Sequence, residues 1–302
     1  LEARPNPVQL EMVLPAPRIE AAVREHARRT GQAPTPRERQ ALARGVVDEE
    51  ILLREALDLR LDSGDPVIER RLIQNLRFLG GRESSDARRL KEARALGMIE
   101  GDLIVRRRLV QRMEQRLRDD APSGEPSEEE LALHRLEQAA RFTHPARARV
   151  SHVFVAVESS EEAAQARAVR LRERLIAAGI GPDAAGDQGD AFLVGPALPE
   201  QSEAELAKLF GPELAAHTME LELGSWSPPL RSPHGFHLLW LHERVESELP
   251  PLESIRNRVR HSLQEARAAK ALAQGLAQLR KRYRVRGEGA PDAGVDTLPE
   301  GA

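Results

Sequence analysis

"GSWSPPLRSPHGFHLLWLHER" (residues 224–244) decides how the second half of this chain folds. His234, His237 and His242 fall within nine residues, in and around an apolar run. Three readings are open: metal ligands, one functional histidine with bystanders, or ordinary strand residues. The run "GFHLLWLHER" predicts a strand, and strand side chains alternate faces, so His237 would point away from both neighbours. His234 and His242 share a parity, but eight residues of strand would separate them by about 26 Å. No zinc spacing survives that test. The acidic loop with Asp183, Asp187 and Asp190 lacks the alternating ligands and closing glutamate of a calcium loop. Neither a metal nor a cofactor is expected.

At 302 residues the chain has room for about two domains. Hydrophobic residues make up 40% and charged ones 31%, the balance of a globular protein rich in amphipathic helix. Aromatics are only 3%, so the cores must be built from Leu, Val, Ile and Ala. The absence of cysteine excludes disulfides, thiolate metal sites and a cysteine nucleophile. No apolar run approaches the roughly 18–20 residues that cross a bilayer. The chain begins at Leu1 rather than Met, which is compatible with a removed targeting or membrane-anchoring segment. Arginine outnumbers lysine 41 to 4, yet 48 acidic residues are interspersed and the net charge is -3. Genomic bias explains that ratio better than a nucleic-acid surface. "RRR" (106–108) lies in a repeat copy with apolar neighbours, and "RKRYRV" (280–285) ends an expected helix, where cations suit the dipole. Over residues 147–246 acidic residues outnumber basic ones 15 to 9, and no nucleic-acid partner is expected.

Residues 15–143 read as helix after helix, preceded by an N-terminal extension (1–14). "PAPRIEAAVREHARRTG" stops at Gly31, and the next helix has Thr35 as a cap with Pro36 at its first position. An internal repeat follows: "LREALDLRLDSGDPVIERRLIQNL" (53–76) matches "LKEARALGMIEGDLIVRRRLVQRM" (90–113) at an offset of 37 residues. Its Gly-Asp pairs, Gly64-Asp65 and Gly101-Asp102, predict aspartate caps on the helices that follow. Two copies are too few for a solenoid and fit a duplicated helix–turn–helix. After the polar break at 119–130 and a short helix over 127–141, "ARVSHVFVAV" (148–157) alternates as a strand. It sets Val150, His152 and Phe154 on one face. A helix capped by a box from Ser159 to Glu162 and closed by Gly179 comes next. A loop through 190, a short strand "AFLVG", a helical stretch from Ser202 and the strand of the opening motif then follow. A long amphipathic helix is expected over 250–285, and the tail (287–302) reads as disordered.

One histidine thus sits mid-strand at the start of the β-containing region and another at its end. On "VSHVFV" and "GSWSPPLRSPHGFHLLWL", with Gly224, Ser227, Pro229, Ser232, Gly235 and His237 in register, residues 145–246 resemble the parvulin family of peptidyl-prolyl cis-trans isomerases. The flanks, helical before the module and one long helix after it, resemble the SurA/PrsA-type chaperone isomerases of the bacterial envelope. The resemblance implies an α+β protein. A mostly helical chaperone-like domain (15–143) would receive the returning C-terminal helix (250–285). A parvulin-like α/β module (145–246) would hold a small, mostly antiparallel sheet.

The resemblance also implies a site: His152 and His237 paired at its floor, Ser232 hydrogen-bonded nearby, and Phe210, Leu214, Met219 and Trp226 contacting substrate. Asp183 would stand for the family's acidic or cysteine loop residue, which falls one place earlier, at Pro182. Leu214 replaces a usual phenylalanine, "QGDAF" a usual Gly-Gly-Asp-Leu-Gly, and the second proline of "SPP" a usual glycine. His234 and His242 are assigned to solvated strand ends. The implied function is X-Pro isomerisation in unfolded or folding clients in the periplasm. Its competitor is a catalytically weak parvulin-fold holdase whose two histidines are satisfied core residues.

Overall fold

The computed structural model describes residues 10–14, 16–80 and 85–287. Most of the expected N-terminal extension and nearly all of the expected tail lie outside them. In chain order the elements are β1 (Leu10–Leu14), α1 (Ala16–Thr30), α2 (Pro36–Asp58), α3 (Pro66–Phe78), α4 (Asp86–Ala95), α5 (Met98–Gly101) and α6 (Leu103–Asp119). Next come α7 (Glu128–Glu137), α8 (Ala139–Phe142), β2 (Arg147–Ala156), α9 (Glu161–Ala177) and α10 (Pro182–Ala185). The series ends with β3 (Ala197–Ser202), α11 (Glu203–Phe210), α12 (Pro212–Glu220), β4 (Leu230–Ser232), β5 (Gly235–Val245), α13 (Leu252–Arg280) and β6 (Tyr283–Gly287). This is an α+β protein that divides into two compact units, 1–126 with 261–302, and 127–260.

The first unit is helical because its caps and apolar stripes agree. Thr35 and Glu38 form a reciprocal capping box on α2, with Pro36 in the first turn. Asp65 and Asp102 cap α3 and α6, each accepting two amide N–H groups. Ile68, Leu72 and Leu76 of α3 and Val105, Leu109 and Met113 of α6 face one core, each worth about 2 kcal/mol in area removed from water. The two repeat copies also exchange side chains. Arg71 Nε donates to Asp102 at 2.8 Å, and Arg108 Nε donates to Asp65 at 2.9 Å. Asn75 likewise donates to Asp102 at 2.6 Å and Arg112 to Asp65 at 3.4 Å. Since 65/102, 71/108 and 75/112 are equivalent in the repeat, the pairing has pseudo-twofold symmetry.

Leu272, Leu276 and Leu279 of α13 pack in that same core. A Cβ on Gly275 would lie 2.8 Å from the Leu117 side chain, so α13 passes close to α6 here and a larger residue would make that leucine shift. The helix ends at Arg280 rather than near residue 285. The chain then turns into β6, which pairs in parallel with β1, Leu10 opposite Tyr283. Period-two burial of Met12 and Leu14 and of Tyr283 and Val285 shows why these segments are strands.

In the second unit four strands form an antiparallel sheet in the order β3-β2-β5-β4. One face packs α9 against Val153, Val155, Phe236 and Leu238. The opposite face packs α11 and α12 against Val150, Leu239 and Leu241. Several sequence expectations are corrected here. The cap of α9 is Ser160, not Ser159. "AFLVG" (191–195) is irregular, and the strand is "ALPEQS", whose Pro199 is tolerated at the sheet edge. The loop before it contains α10 and a short 3-10 turn. The helical stretch from Ser202 is two helices broken at Gly211, φ +90°. His234 lies exposed in the two-residue turn between β4 and β5, in keeping with the solvated position expected of it.

Candidate functional site

Antiparallel register sets Phe154 opposite His237 and His152 opposite Leu239, which brings both histidines to the α11–α12 face of the sheet. His152 is 3% exposed and His237 fully buried. Their hydrogen bonds run in one direction. His152 Nε2 meets the Gly195 carbonyl at 3.1 Å, and a carbonyl only accepts, so this nitrogen carries the proton. His152 Nδ1 is then an acceptor, which His237 Nδ1 reaches as donor at 3.4 Å. His237 Nε2 accepts the Ser232 hydroxyl at 2.9 Å, and Ser232 Oγ accepts the His234 amide at 3.1 Å. Every ring nitrogen is satisfied with both imidazoles neutral.

Electrostatics agree with that assignment. Burial pushes the His237 pKa down to about 3, with the neighbouring His152 and His234 adding to the shift. Burial also lowers His152, against the opposing pull of the Gly195 carbonyl.

Aromatic rings enclose the pair. Phe210 meets His237 edge-on at 4.9 Å between centroids and His152 at 5.3 Å. Phe154 lies 4.9 Å from His237. Phe192, only partly buried, contacts His237 at 4.9 Å, His152 at 5.3 Å and the exposed His234 at 5.5 Å. Its loop is pinned by Asp190, whose amide donates to Phe154 O at 2.8 Å and whose carboxylate accepts from Ala156 N and Arg167. Gly189 permits this: a Cβ there would stand 2.4 Å from Phe154 O. At Gly235, φ +154°, a Cβ would meet Val155 O at 2.5 Å.

The predicted site residues therefore divide. His152, His237, Ser232 and Phe210 come together. Leu214 is buried in the core behind them, with Met219 partly buried against that core. Trp226 does not join them. It packs against Trp240 on the α9 face, with Nε1 donating to Ile180 O at 2.9 Å. Asp183 is exposed on α10, where its charge acts on His242, which hydrogen-bonds Ser151 at 2.8 Å. Both belong to the sheet face opposite the pair. Phe192, Phe154 and Asp190 were not anticipated as site residues, although "QGDAF" marked the loop of Asp190 and Phe192. A cleft of about 420 Å³ lined by Val155, Arg167, Arg170 and Arg174 also lies on the α9 face, apart from the histidines.

Residues 126–257 match the family model described as the PPIC-type PPIase domain. No curated protein matches the chain. Among solved structures, one from work on the SurA-like chaperones PEB4 and Cj1289 of Campylobacter jejuni is 13% identical, covering 89% of this chain and 95% of its own, TM-score 0.41. A PpiC-type isomerase domain is 24% identical over 34% of this chain and 94% of its own, TM-score 0.29. PrsA of Bacillus anthracis is 14% identical over 77% and 94%, TM-score 0.29. The family match spans the whole sheet and both histidines, with the closing Gly-aromatic-His hairpin inside it. Over residues 126–257 this chain carries a parvulin domain of the PPIC-type peptidyl-prolyl cis-trans isomerase family.

Proposed function

We propose that the second unit isomerises X-Pro bonds in unfolded or folding polypeptides outside the cytoplasm, and that the first unit handles the same clients. The barrier to be lowered is about 18–20 kcal/mol, set by loss of amide resonance at the twisted midpoint. No covalent step is needed. The planar amide is more dipolar than the twisted one, so a dry aromatic surface favours the midpoint over the ground state. The observation that carries this reading is the neutral, fully satisfied chain from Ser232 through His237 and His152 to Gly195 O, under Phe192 and Phe210. In this scheme His152, His237 and Ser232 are positioning residues that hold the floor rigid. Phe210, Leu214 and Met219 back it, and Phe192 is the aromatic that a proline ring meets first.

An extracytoplasmic setting, periplasmic in a bacterium with two membranes, follows from the SurA/PrsA-like layout read in the sequence. No helix among the described residues is long and apolar enough to cross a membrane.

The holdase reading draws on a specific observation too: both histidines are sealed from solvent. A proline-tetrapeptide isomerisation assay separates the two. The enzyme reading expects a rate above background that falls in His237→Ala and Leu214→Ala; no rate in the wild-type chain, or an unchanged rate in both variants, rejects it. Suppression of client aggregation without isomerisation would favour the holdase.

A further inference from the structure

Val67 and Ile104 hold equivalent positions in the repeat and are 50% and 51% exposed. Arg70 and Arg107 are likewise equivalent and exposed, as are Gln74 and Gln111. Buried matches such as Leu72/Leu109 need only the shared core to explain them. The exposed matches have no such cause. Among the described residues none of these arginine and glutamine side chains has a hydrogen-bond or ion-pair partner. Surface substitutions of this kind change stability by only about 0.5 kcal/mol. Yet the copies, reduced to ten identities in 24 positions, keep this stripe. Something other than folding holds it.

The helical period places the stripes. At about 100° per residue, positions 67, 74 and 78 adjoin the edge of α3 that carries Arg71 and Asn75 toward α6. Positions 104 and 111 adjoin the matching edge of α6, with Arg108 and Arg112. The stripes therefore flank the α3–α6 seam on its outer side. Val67, Ile104 and Phe78, the last 91% exposed, supply an apolar rim. Charges within the seam are matched by the reciprocal Asp–Arg pairs. Arg70 and Arg107 are left as uncompensated cations beside apolar surface, which is the complement of an apolar segment flanked by carboxylates.

We infer that the α3–α6 seam binds an unfolded polypeptide segment whose apolar side chains are flanked by acidic residues. The inference rests on the client-handling half of the function proposed above. Val67, Arg70 and Gln74 on α3 and Ile104, Arg107 and Gln111 on α6 give two equivalent half-sites, with Phe78 (Gln115 in the other copy) adding apolar surface to the first, so a longer segment gains from engaging both.

The test uses the full chain and a labelled peptide of Leu and Phe flanked by Glu, with a Lys-flanked counterpart, followed by fluorescence anisotropy. The Glu-flanked peptide should bind more tightly, and less tightly as salt rises. Binding should weaken about tenfold in Arg70→Glu/Arg107→Glu and in Val67→Ser/Ile104→Ser, but not in Leu133→Ser, an exposed position of the other unit. These positions are solvent-facing, so melting curves should overlay the wild type. Equal affinity for the two peptides, or unchanged binding in both double variants, overturns the inference. So does binding to phosphatidylglycerol vesicles that the peptide fails to displace. Tetrapeptide isomerisation in the same samples should be untouched by the substitutions. An inactive wild-type chain that still binds through the seam would reject the enzyme and leave this inference standing.

Discussion

His152 and His237 face each other through their Nδ1 atoms at 3.4 Å, an arrangement with room for one proton between them. A second proton would set two N–H groups head to head in a dry pocket.

That relationship predicts acid sensitivity with a defined sign. In the unfolded chain His237 titrates near 6.5; in the fold burial holds it near 3. Between those values the unfolded state binds the extra proton, so stability is complete above about pH 6.5 and is lost as pH falls toward 3. The slope contributed by His237 approaches about 1.4 kcal/mol per pH unit. Urea melts at pH 7.5 and pH 5 should show a larger loss for the wild type than for His237→Gln. Equal losses would mean that the histidine does not titrate on unfolding.

Because burial is the leading cause of that shift, opening the pocket should undo part of it. Phe192→Ala removes the ring packed on both histidines, and the His237 pKa should rise toward 6.5. An NMR titration of the imidazole nitrogens reads this directly; a value unmoved by the substitution would show that Phe192 does not shield the pair.

Asp102 accepts from two donors at each of its oxygens. Oδ1 caps α6, and Oδ2 takes Arg71 and Asn75. Asparagine retains the capping oxygen but loses the charge, whereas alanine loses both functions. Asp102→Ala should therefore cost about 1 kcal/mol more than Asp102→Asn. Chemical denaturation measures the difference, and identical costs would show that the cap contributes nothing.

Tyr283, on β6, donates to the buried carboxylate of Glu55 at 2.8 Å. Burial, then that carboxylate, pushes the phenol pKa well above its usual value. Tyr283→Phe leaves Glu55 short of one donor and should lower stability by about 1–3 kcal/mol. Arg282 donates to the other oxygen of that carboxylate at 2.9 Å, and a melting temperature equal to wild type would show that it alone satisfies the glutamate.

The sequence was most legible where local chemistry and pattern coincided. Thr35, Asp65 and Asp102 cap the helices expected of them, because capping is decided within four residues. The pairing of His152 with His237, 85 residues apart, was reachable only through the family pattern, since strand parity says which face a residue takes and not which strand lies beside it. The misplaced strand at 191–195 has a physical cause. An apolar run suggested pairing, but Phe192 is turned onto the histidines, and the real edge strand was disguised by Pro199. β1 and β6 were missed because each is five residues long and finds its partner at the other end of the chain. Trp226 was assigned to the pocket from its position in the motif. The sheet has two apolar faces, and the motif does not say which one a tryptophan joins.

The exchanged Asp–Arg contacts of the two repeat copies have a consequence for cooperativity. Each aspartate starts its own helix while anchoring the other copy's arginine, so fraying at one helix start removes a tether from the second. The pair should open as a single unit. In hydrogen exchange the first-turn amides of α3 and α6, Ile68 and Val105 among them, should share one opening free energy instead of reporting two independent helices.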